Sequence, residues 1–146
     1  MKVSKILTVL SVLLISVSLF AGNMLKEDKT DIEQTITNYV KSVDSRNVDN
    51  LSKALLNTGS VITLNSITNT LDHYSGDQFI SLVKNGQKGG WVRNVTINSV
   101  DTDGSTAMAK VDITDSRLKQ TGFFTLVKNN GSWKVASAVT TLELNK

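Results

Sequence analysis

From Trp91 to the carboxyl end the chain shows no helical period. Residues 91–101, 105–115, 118–128 and 132–144 read as four long strands. Asp103-Gly104 and Asn130-Gly131, which separate the first from the second and the third from the fourth, are dipeptides that favour two-residue hairpin turns. Strands joined by turns this tight lie side by side and antiparallel. Their length implies a strongly curved sheet, because strands twist as they extend.

The upstream residues supply what covers that sheet. Thr30-x-x-Glu33 is a capping box and opens a helix. Ile32, Ile36, Tyr39, Val40 and Val43 then form one apolar stripe, which ends near Arg46-Asn47. A second helix over 48–56 turns Leu51, Ala54 and Leu55 inward, and residues 57–59 stop it. The period then changes: Val61-Ile62-Thr63-Leu64 is a strand, Thr68-Asn69 a turn and 71–74 a returning strand. Ser75-x-x-Gln78 is a second capping box, and its helix carries Phe79, Ile80, Leu82 and Val83 up to Gly86 as the C′ residue. Gln87-Lys88-Gly89-Gly90 is a flexible loop. The order α-α-β-β-α-β-β-β-β, with helices packed on one face of a curved antiparallel sheet, is an α+β fold. No linker or repeat interrupts it, so residues 27–146 are expected to form a single domain.

Several chemistries are excluded. The chain has no Cys and a single His, His73, which removes disulfides, thiolate metal sites, Cys nucleophiles and His-rich metal centres. No metal and no cofactor are expected. No G-x-S-x-G, P-loop or H-x-x-x-H is present. At the amino end, Lys2 and Lys5 precede an apolar run, ILTVLSVLLISVSLF, and then Ala21-Gly22-Asn23. This reads as a signal peptide over 1–21 with cleavage after Ala21. The run is about 15 residues, short of the ~20 that span a bilayer, and no second apolar block follows. The mature chain is therefore expected to be exported, periplasmic or secreted, without a membrane span. Losing Lys2 and Lys5 lowers the formal charge from +3 to +1, which leaves no electrostatic footprint for nucleic acid.

Three stretches carry a family resemblance: Ile36-x-x-Tyr39-Val40, Tyr74-Ser75-Gly76-Asp77-Gln78-Phe79, and Val100-Asp101 through Ala107-Met108-Ala109-Lys110-Val111. The closing hairpin carries it furthest, with Phe124-Thr125-Leu126-Val127-Lys128 followed by Asn130-Gly131-x-Trp133-Lys134-Val135. Over about residues 28–143 the chain resembles the nuclear transport factor 2-like superfamily, and within it the putative lumazine-binding family of small bacterial proteins. The resemblance implies a cone-shaped fold with a mostly apolar pocket between the concave sheet face and the helices. Relatives often carry an Asp-aromatic pair before the hairpin's Thr-Leu. Here Gly122 precedes Phe123, so that carboxylate has no counterpart.

Strand parity selects candidate pocket residues. Ala107, Ala109, Val111 and Ile113 share one face, and Asp115 continues it. Val95 and Ile97 share the facing strand's apolar side, and Arg93 continues that. Val100 is out of phase with Ile97, so a β-bulge is expected near Asn98-Ser99. With the bulge, Arg93 and Asp115 fall opposite each other, either orienting a ligand's polar group or forming a half-exposed rim salt bridge. Tyr39 lies on the helix stripe and is either packing or a pocket hydroxyl. His73 and Tyr74 precede the third helix. Trp91, after Gly89-Gly90, is either a lid ring or a core anchor. His73 and Asp115 are the candidates for a catalytic base. Three functions follow. The preferred one is an exported domain that binds a small, largely apolar molecule. The others are an isomerase or lyase resembling ketosteroid isomerase or dehydratases of that fold, and a non-catalytic module dimerising through the outer sheet face, where Thr125, Ala136, Ala138 and Thr140 are placed. A homodimer is expected.

Overall fold

The computed structural model describes the backbone of residues 2–146 and the side chains from Gly22 onward, Asn23 excepted. The chain forms two compact units, Met1–Asp31 and Ile32–Lys146. Helix α1 runs Lys2–Ser45 without a break. The helix start expected at Thr30 is therefore absent. Thr30 sits inside α1, and its hydroxyl donates to the Lys26 carbonyl one turn back. Lys26, Glu27 and Lys29 are good helix formers and the chain has no proline, so nothing before Thr30 ends the helix. The leader expected over 1–21 lies outside the residues whose side chains are described. Among the described residues, no helix is long and apolar enough to cross a membrane.

In the second unit, Ile32, Ile36, Tyr39, Val40 and Val43 of α1 are all buried, as the stripe requires. α1 closes with paired reverse bonds, Arg46 N–H to Val43 O and Asn47 N–H to Ser42 O, with Arg46 in the left-handed region at φ 55°. Asn47 then caps α2 (Val48–Ala54) by accepting from the Asn50 amide. α2 stops earlier than the sequence implies. Leu55 is fully buried and already pairs with Val135, so sheet pairing overrides its helical period.

The remaining elements are β1 (Leu55–Asn65), β2 (Thr70–Ser75), α3 (Gly76–Lys84), β3 (Asn94–Asp103), β4 (Thr106–Thr114), β5 (Leu118–Asn129) and β6 (Ser132–Leu144). Both halves of the Ser75–Gln78 capping box form. At the other end of α3, Gly86 N–H bonds to Val83 O and Gln87 N–H to Leu82 O, with Gly86 at φ 75°. β3 begins at Asn94, so residues 91–93 belong to the connection after α3 and not to a strand. The β3–β4 turn is Gly104-Ser105, one residue later than expected, because Asp103 stays in register with Thr106.

The sheet order is β2-β1-β6-β5-β4-β3. Every pairing is antiparallel except β1 with β6, which is parallel. The hairpin series β3 to β6 fixes the direction of β6, and the long crossover from β1 allows the parallel match. Besides a register shift between Leu55 and Ser60 of β1, two irregularities interrupt the sheet. One lies between Ile97 and Ser99 in β3, where the phase slip required it. The other lies in β6, where Thr125 pairs with Ser137 but Leu126 pairs with Val135. That step switches parity, so Val135 and Ala138 both point inward and are buried. Ala138 and Thr140, expected on the outer face, are therefore inside. The helices pack on the sheet through a core in which the Tyr39 ring meets Phe124 edge-on at 5.5 Å and stacks near Phe79 at 6.2 Å. Trp133 is buried in this core, opposite Lys128, whose ammonium lies 5.8 Å from its ring.

Candidate functional site

The concave face of the sheet, α1 and the connection after α3 enclose a cavity of about 190 Å³. Val43, Val61, Ile113, Phe124 and Ala138 make its walls apolar. One polar line crosses it. Arg93 gives Nε to Asp44 Oδ1 at 2.7 Å and its backbone amide to Asp44 Oδ2 at 3.0 Å. A second guanidinium nitrogen reaches Asp44 Oδ1 at 2.5 Å. Nη1 of Arg93 donates to Gln120 Oε1 at 3.3 Å, and Gln120 Nε2 donates to Thr140 Oγ1 at 2.6 Å. Thr140 Oγ1 lies 3.2 Å from Thr63 Oγ1. The Asp44 and Arg93 side chains are only 10% and 16% exposed.

Tyr39 is 5% exposed and lines the cavity. Its hydroxyl has no hydrogen-bond partner among the described residues, yet it is not sealed in, so it opens onto the cavity. Burial pushes the phenol well above the usual tyrosine range, with the Arg93 charge acting the other way. It is neutral at any ordinary pH and offers an O–H donor.

The mouth is formed by the connection after α3 and by β2. Arg46 ties that connection down, donating to the carbonyls of Gly86, Lys88 and Gly89, while the Gly90 amide donates to Asp44 O. A Cβ at Gly89 would run into the Val43 carbonyl, so only glycine lets the chain cross α1 this closely. Lys88 Nζ pairs with Asp72 Oδ2 at 2.9 Å and lies 5.4 Å from the Tyr74 ring.

Of the residues that the sequence proposed, Tyr39, Tyr74, Trp91, Arg93 and Asp115 all line the cavity. Trp91 is 51% exposed at the mouth and is no core anchor. His73 is not there. Successive strand side chains alternate faces, and Asp72 and Tyr74 take the cavity side of β2. His73 therefore lies exposed on the outer face, with Nε2 3.1 Å from Ser60 Oγ. Arg93 and Asp115 flank the end of the β3–β4 ladder as the bulge required, but they form no ion pair. Arg93 turns to Asp44. Asp115 accepts from the Arg117 and Leu118 amides, at 2.7 and 2.8 Å, and closes the β4–β5 turn. Those two amides, the Arg117 bond first, hold its carboxyl below the usual carboxylate range. At Gly122 a Cβ would run into the Val139 carbonyl and the Thr140 backbone, so this chain has no room for a carboxylate there. Asp44 is the residue that sequence reasoning missed. It stands one turn beyond Val40 on the apolar stripe, and a charge at a stripe position was the available signal. Among the described residues, no group of three His, Asp or Glu side chains is placed to hold a metal.

The family model described as "Putative lumazine-binding" matches residues 27–140. Among solved structures, a nuclear transport factor 2-like protein of unknown function from Silicibacter pomeroyi superposes with a TM-score of 0.68 at 19% identity, covering 83% of this chain and 98% of its own. Another from Methylobacillus flagellatus gives 0.67 at 19% identity, covering 80% and 93%. A ketosteroid isomerase-like protein from Erwinia carotovora atroseptica gives 0.60 at 13% identity, covering 77% and 94%. No curated protein matches the chain. The fold is nuclear transport factor 2-like.

Proposed function

Because the chain belongs to the putative lumazine-binding family, we propose that it is an exported domain that binds a small, largely apolar molecule in its cavity. One observation carries this reading. A tyrosine hydroxyl without a protein partner opens into a largely apolar cavity beside an arginine. A ligand oxygen placed there would give that hydroxyl a hydrogen bond worth about 0.5–1.5 kcal/mol. The alternative of an isomerase or lyase has weaker support. Its two candidate bases are His73, on the opposite face of the sheet, and Asp115, whose carboxylate is committed to a turn. A homodimer through the outer face of the sheet is favoured by a separate observation, the half-exposed Phe123 and Val139 that lie side by side there.

Native mass spectrometry of the protein purified from its own host tests export and binding together. The expected mass is that of a chain starting near Gly22, plus a retained small molecule that is lost in the Tyr39→Phe variant. A chain retaining Met1 would sink export. A wild-type protein that carries nothing, and takes up nothing from host extract, would sink binding.

A further inference from the structure

Three of the five N–H donors of Arg93 are already committed, two to Asp44 and one to Gln120. Its positive charge is matched by a carboxylate that is itself nearly buried. The other charged residues that line the cavity are Lys88, Asp72 and Asp115. Lys88 is paired with Asp72, and Asp115 is the one lining carboxylate without a cation in an ion pair. Each lining cation therefore already has a carboxylate within ion-pair distance.

We infer that the molecule taken by this cavity is electrically neutral: a flat, apolar compound of about one substituted ring whose polar end is a carbonyl or amide oxygen. The inference rests on the binding reading above. A carboxylate or phosphate would have to shed its water and would meet no unmatched cation among the lining residues. An ammonium ion would meet the like charge of Arg93 and would offer no acceptor to that side chain's two uncommitted N–H groups. A neutral carbonyl oxygen satisfies both and leaves no charge to desolvate. The size follows from volume. The cavity measures about 190 Å³, somewhat more than the roughly 150 Å³ space that accommodates benzene. The rings of Tyr39, Phe79 and Phe124 give it flat walls.

The test titrates the full chain with three probes of one shape, 4-methylbenzamide, 4-methylbenzoate and 4-methylbenzylammonium, and follows binding by NMR. The amide should bind at least about tenfold more tightly than either ion. Asp44→Asn strips Arg93 of its matching charge and should move the benzoate-to-amide affinity ratio toward benzoate by about tenfold or more. Benzoate binding the wild type as tightly as the amide would overturn the inference and leave the binding reading standing. An unchanged ratio in a folded Asp44→Asn protein would do the same. If Asp44→Asn does not fold, the wild-type comparison decides alone. Binding of none of the three would overturn both readings.

Discussion

Asp44 and Arg93 hold each other in a place where neither is well solvated, so removing one leaves the other stranded. Breaking a buried pair costs about 3–5 kcal/mol, and the residual exposure of these two places them near the lower end. Arg93→Ala and Asp44→Ala should therefore each lower stability by about 3 kcal/mol in denaturant titration. A loss under about 1 kcal/mol would mean that the pair behaves as a surface bridge. The sequence set Arg93 opposite Asp115, whereas its partner is Asp44. Strand parity identifies only neighbours on the same sheet, whereas Asp44 approaches from a helix. His73 fails for a related reason. It sits one residue from Tyr74, and on a strand one residue changes the face.

At the scale of elements, the same motif had two outcomes. Ser75-x-x-Gln78 caps α3 because the preceding residues are a strand, with backbone that cannot continue into the helix. Thr30-x-x-Glu33 caps nothing because helix formers precede it. The two bulges divide likewise. The one near Asn98 was legible because the apolar positions slip phase between Ile97 and Val100. The one in β6 was not, because Val135, Ala136, Ala138 and Val139 are all apolar and either phase reads equally well. The β4–β5 turn depends on one carboxylate. Asp115 has a depressed folded pKa, so its stabilisation is complete above the unfolded carboxylate value of about 3.9 and is lost as pH falls through the folded value. Acid titration of stability should show the wild type falling more steeply below about pH 4 than Asp115→Asn, with the gap between them closing. Parallel acid curves would show that the turn does not depend on the ionised side chain.

Across the whole sheet, the outer face presents one continuous row. His73 pairs with Ile62, Ile62 with Val139, Val139 with Phe123 and Phe123 with Lys110, which crosses five strands in register. Phe123 and Val139 are each about half exposed, and Leu64 and Leu71 add a second apolar pair on the same side. Single exposed apolar residues are ordinary, but a contiguous patch marks an association surface. A second copy of the same chain would bring the same row to meet it, and a standard interface needs about 800 Å² from each partner. Lys110, Lys119 and Glu143 border the row and supply opposite charges for a two-fold arrangement. The chain should sediment as a dimer at about 100 µM, with Phe123→Lys, which sets a second cation beside Lys110, sedimenting as a monomer. Because Phe123 is half exposed and outside the core, the variant should keep its fold and its ligand. A wild type that stays monomeric at that concentration would sink the dimer. A Phe123→Lys protein that remains a folded dimer would move the interface elsewhere on the molecule.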